Sequence, residues 1–119
     1  MSTDYILMCE YKETENSKWK AYKIDNKVWD SKFWGISCIK NAFMRKNGHD
    51  NDIKDESKGI EDLYGHYRQL SLVKDLSFDF QYMDANDMLT LSEFIKDMAK
   101  VMKEVENYYN YRWIISPDC

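Results

Sequence analysis

The stretch from Thr90 to Tyr108 constrains this chain most. Leu91, Phe94, Ile95, Met98, Val101, Met102, Val105 and Tyr108 recur at steps of three and four residues, which lines them along one side of an α-helix. Thr90-Leu-Ser-Glu93 spells a capping box at its start, in which the hydroxyl takes the third amide and Glu93 reaches back. Met88, Met98 and Met102 add soft apolar bulk and read as core-facing. A helix with one apolar side must lie on another apolar surface, so the rest of the chain has to supply one.

Strands are the natural source. Asp4 to Lys12 contains the short run Tyr5-Ile-Leu-Met-Cys-Glu-Tyr11, which suits a strand covered on both faces. Lys12 to Ser17 is polar and reads as a turn. Lys18 to Ile24 then returns as a second strand, with a turn at Asp25-Asn26 and a short extension over Lys27 to Trp29. Leu76 to Met83 alternates strictly, with Leu76, Phe78, Phe80 and Tyr82 on one side, and predicts a half-wet strand ended by Asp84 to Asp87. Arg112 to Ser116 predicts a last strand before Pro117.

Two more helices are expected. Asp30 or Ser31 can cap one running to about Lys46, on the spacing of Phe33, Ile36, Ile39 and Phe43, with Asn47-Gly48 as a stop. Ile60, Leu63, Tyr64 and Tyr67 outline a shorter one. The order is roughly β-β-α-α-β-α with a final β. It predicts an α+β fold in one domain over residues 1–119: a two-layer sandwich, a mainly antiparallel sheet covered by two or three helices.

Charge narrows the function classes. With 17 Lys and Arg against 21 Asp and Glu, the net charge is −4, and nucleic-acid binders usually carry a basic balance. Only Arg45, Arg68 and Arg112 are arginines, the better fork for phosphate and guanine. Cys9, Cys38 and Cys119 are widely spaced and odd in number, so reduced thiols in a cytoplasmic setting are expected. No stretch reads as a signal peptide or a membrane span.

Motif chemistry is sparse. Asp50-Asn-Asp-Ile-Lys-Asp-Glu56 leads toward a calcium loop, with Asp52 third and Glu61 twelfth. Lys54 stands where an oxygen is required, however, and Asp55 where the turn needs glycine. His49 and His66 have no paired cysteines for zinc. A Cys–His nucleophile pair has no local signature here. The glycines Gly35, Gly48, Gly59 and Gly65 form no phosphate loop. No cofactor or metal is therefore expected.

What remains is surface chemistry. Trp19, Tyr22, Trp29, Phe33 and Trp34 interleave with Lys18, Lys20, Lys23, Lys27 and Lys32. Such rings serve mostly as core, then as protein interface, then as stacking platforms for single-stranded nucleic acid. Asp50, Asp52, Asp55, Glu56, Glu61 and Asp62 form an acidic segment that could steer toward a basic partner. The composition, heavy in Lys, Asn, Asp, Tyr and Ile, is shared by many phage proteins.

The sequence thus predicts a small acidic, non-enzymatic binding protein that inhibits or modulates a larger protein partner. Phage anti-defence inhibitors and toxin-immunity proteins are of this kind. Trp19, Tyr22, Asp50, Asp52, Asp55 and Glu56 are the expected partner-binding residues, and a homodimer through an edge strand or the aromatic cluster is compatible with the reading. The alternative is a small-ligand or nucleotide-binding domain, or a minor enzyme, with a pocket lined by Tyr and Trp.

Overall fold

The computed structural model describes residues 4–33, 59–60, 71–73 and 80–118. Its centre is a pair of nine-residue strands from the two ends of the chain, β1 (Asp4–Lys12) and β7 (Asn110–Asp118). They pair antiparallel along their whole length, from Asp4↔Asp118 to Lys12↔Asn110. The other edge of β1 takes two short strands: β2 (Lys20–Ala21) beside Glu10 and Tyr11, and β5 (Asp30–Phe33) beside Tyr5 to Met8. β6 (Ser71–Val73) adds to the far side of β7. Among the described residues every pairing is antiparallel.

Between β2 and β5 the chain leaves the sheet as a small ribbon, β3 (Lys23–Ile24) and β4 (Lys27–Val28). Asp25 and Asn26 connect them with φ of 52° and 67°. Two successive left-handed residues make the type I′ turn whose twist matches a two-residue hairpin, and Asp and Asn tolerate that region better than most side chains. Tyr22 joins ribbon to sheet: its N–H donates to the Cys9 carbonyl at 2.8 Å, and its carbonyl accepts from Trp29 N–H at 2.9 Å.

Among the described residues one long helix, α1 (Ala85–Val105), follows a 3₁₀ turn at Phe80–Tyr82. The period-two geometry of β1 and β7 presents Leu7, Cys9, Tyr11, Tyr111, Trp113 and Ile115 to one face. There they meet Leu91, Phe94, Val101 and Val105 of α1, with Tyr22, Trp29, Met83, Met98 and Met102 closing the rim. Trp113 is edge-on to both Trp29 and Tyr111, at centroid distances of 6.2 and 6.3 Å. The opposite face also holds buried residues, Glu10 and Ile114, so β1 is covered on both sides.

Several expectations are corrected. The sandwich with two or three helices over its sheet is overturned: among the described residues the sheet carries one helix, and five strands precede β6. Asp30 to Phe33 do not start a helix. They extend along the free edge of β1, where its unpaired backbone groups offer Tyr5 to Met8 as partners. Residues 34–46 of that expected helix, and 61–67 of the next, lie outside the described residues. Phe80 to Tyr82 form a 3₁₀ turn instead of a strand, because the cap of α1 follows immediately and Met83 N–H donates back to Phe80 at 3.1 Å. Residues 76–79 are outside the described set.

The start of α1 also moves. Asp84, read as part of a break, is the N-cap: its carboxylate accepts from Asp87 N–H at 2.9 Å, and Asp87 accepts from Asp84 N–H at 3.2 Å. This is the capping box with aspartate in both roles. Thr90 sits inside the helix and donates its hydroxyl to the Asn86 carbonyl at 3.0 Å. The first turn escaped the periodicity because Met88 and Leu89 are exposed.

Replacing Asp84 with Ala should lower unfolding free energy by about 1 kcal/mol through loss of the cap. Leu7→Ala, in the centre of the core, should cost about 2–5 kcal/mol. Urea denaturation of both variants checks the ranking; equal midpoints would show that the cap and the core weigh alike.

Candidate functional site

Two clusters combine chemistry with position. The first is an ion pair across the central strands. Glu10 and Arg112 are direct register partners on the face away from α1. Glu10 is fully buried and the Arg112 side chain is 10% exposed. Glu10 Oε1 accepts from Arg112 Nε at 3.0 Å and from Nη2 at 2.8 Å. Its Oε2 accepts from the Ile60 N–H. Removing two charges from water costs several kcal/mol, repaid only when the remaining valences are also met, as these hydrogen bonds do.

This pair shapes its surroundings. Gly59 is buried against it with φ of +150°, and a side chain there would overlap both the Arg112 guanidinium and the Glu10 carboxylate. The guanidinium lies 4.1 Å from the Trp19 ring centroid, and Lys12 Nζ approaches the same ring at 5.1 Å. Trp19 is therefore held by two cations.

The second cluster is an open groove of about 430 Å³ at the C-terminal end of α1, walled by Tyr11, Lys20, Ala21, Tyr22, Lys23, Glu104 and Tyr108. It lies on the α1 face of the sheet, along the β2 edge. Tyr11 and Tyr108 stack with centroids 4.3 Å apart and planes at 21°. Burial, and then the neighbouring Tyr108, raises the Tyr11 phenol above its usual range. Burial, and then Glu104, raises that of Tyr22. Both hydroxyls are thus neutral donors at physiological pH. Lys20 forms an ion pair with Glu13 at 3.0 Å, and that hydrogen bond raises its ammonium pKa.

The structure separates the expected site residues. Trp19 lies on the Glu10 face with its ring engaged, whereas Tyr22 lies on the α1 face at the groove. Asp50, Asp52, Asp55 and Glu56 are outside the described residues, as are His49, His66, Cys38 and Cys119. Trp29 joins the core. Cys9 is buried, and burial followed by the Glu10 charge pushes its thiol up to about 12. It is a protonated core residue without nucleophilic character at neutral pH. Among the described residues no three His, Cys, Asp or Glu side chains gather as a metal site. No described helix is long and apolar enough to cross a membrane.

The sequence reading missed Glu10, Arg112, Tyr11 and Tyr108. Glu10 alone left a trace, as a carboxylate inside an apolar strand with both faces covered. The chain matches no protein-family model, no curated protein and no solved structure.

Glu10→Ala should cost about 3–5 kcal/mol, because it strands Arg112 in a buried site. Arg112→Lys should also destabilise, since an ammonium keeps the charge but loses the planar fork and the stack on Trp19. Chemical denaturation measures both, and a wild-type midpoint for Arg112→Lys would show that charge alone suffices. In native protein at pH 8, peptide mapping after brief iodoacetamide treatment should find Cys9 unmodified. Its labelling should appear only on unfolding.

Proposed function

We propose that this chain is a small non-enzymatic binding protein that modulates a larger protein partner, and that the tyrosine groove is its contact surface. One observation carries the reading. Three tyrosines from β1, the β2–β3 junction and the turn after α1 line an open groove whose rim is charged. Tyrosine gives large contact area at low entropic cost, with a hydroxyl to fix orientation, and is enriched among interface hot spots. Next in sequence to groove residues, Tyr109 and Ile24 are each at least half exposed.

The acidic charge and absence of catalytic motifs support an inhibitor of the phage anti-defence or toxin-immunity kind. The groove volume also falls in the range of small-molecule sites, which favours a small-ligand binder as second reading. An open trough with charged rims suits a polypeptide segment better than an enclosed small molecule.

The test is capture of the partner by the tagged chain in nuclease-treated extract of its native cells. Wild-type protein should retain one stoichiometric protein. Tyr22→Ala and Tyr108→Ala should each weaken that complex by roughly tenfold or more. Tyr22 touches the core, so its fold is checked by thermal melting; Tyr108 is 40% exposed and serves as the second variant. Undiminished capture by both variants would take the groove out of the interface. A melting shift with a nucleotide or metabolite, and no protein partner, would move the assignment to a small ligand.

A further inference from the structure

The geometry points to a basic side chain, an arginine or lysine on a segment of the partner protein, as the group that the tyrosine groove receives. This inference rests on the groove being the contact surface and adds its chemistry.

The argument starts from the charges that face the groove. Glu104 lines it from the last turn of α1, beside Tyr22. That turn is the negative end of the helix dipole, where a cation is favoured. Tyr11, Tyr22 and Tyr108 supply aromatic faces, whose electron-rich centres attract cations and accept the flat guanidinium by stacking.

Two lysines oppose this field. The charge of Lys20 is matched by Glu13 at 3.0 Å. Lys23 also lines the wall. An anionic occupant would need the lysines to dominate, yet it would have to sit against Glu104, the last turn of α1 and three tyrosine rings. The same protein already shows the favoured chemistry elsewhere, where Trp19 holds Arg112 and Lys12. Tyr11 and Tyr108, stacked at 4.3 Å, leave no slot between them for a base, so these two rings cannot sandwich a nucleotide.

The probe is a short capped arginine peptide, compared with its glutamate counterpart, titrated to millimolar concentration into the full chain. Backbone amide shifts in NMR report the site. The arginine peptide should move the signals of Tyr22, Glu104 and Tyr108, and the glutamate peptide should leave them in place. Glu104→Lys, an exposed helix substitution, should weaken the arginine peptide roughly tenfold, and Lys23→Glu should strengthen it severalfold. No shift at millimolar arginine peptide, equal shifts with glutamate, or an unaffected Glu104→Lys variant would each overturn the inference.

Partner capture separates this inference from the broader reading. Loss of capture in Tyr22→Ala but full capture in Glu104→Lys would keep the groove as interface and reject a cationic occupant. Full capture in Glu104→Lys and in both tyrosine variants would reject the groove itself.

Discussion

The pairing of β1 with β7 brings Asp4 beside Asp118 and Lys12 beside Asn110, and the other described elements of the fold are arranged around it. β2 and β5 lie on one side of this pair, β6 on the other, and α1 packs across one face. Its register has to be correct to the residue, because side chains alternate and a slip by one would turn Leu7, Cys9 and Trp113 away from α1. Glu10 and Arg112 enforce that register. A shifted pairing would separate two charges already removed from water, a penalty of several kcal/mol that no wrong alignment recovers. The partners are 102 positions apart in the chain, so this contact forms only after a large loop has closed.

How much was legible follows from the same contrast between local and distant interactions. The body of α1 could be read because its period is a property of neighbouring residues, and the Asp25-Asn26 turn could be read because left-handed backbone selects those side chains. The entry to α1 was misjudged since Asp84 and Asp87 cap as well as Thr90 and Glu93 would, while exposed Met88 and Leu89 gave no apolar rhythm. Asp30 to Phe33 had capping residues ahead of an apolar pattern, but a vacant strand edge decided their conformation. Propensity yields to tertiary pairing in such cases. The groove was illegible for a related reason. Tyr11 closes a strand and Tyr108 follows a helix, and nothing in either neighbourhood announces that their rings stack.

The two faces of the sheet divide the work. One carries the core under α1 and ends at the tyrosine groove. The other carries Glu10, Arg112 and Trp19, where aromatic and basic side chains are used up in holding the chain together. Trp19 and Tyr22, close in sequence, therefore serve different surfaces. The groove gains from standing on this base: Tyr11 is fixed in β1, and Tyr22 is bonded to Cys9 on one side and Trp29 on the other. Backbone held this way sets where the two tyrosines stand along the groove.

The ribbon β3–β4 has a consequence for how molecules of this protein behave toward one another. It interrupts the outer border of the sheet between β2 and β5, so among the described residues that side is made of two short strands and not one long one. Two short strands, a projecting turn, and exposed Lys20, Lys23 and Lys27 are the devices by which natural sheets discourage end-on stacking with copies of themselves. The detour thereby shortens the backbone row that a second sheet could extend along β2 and β5.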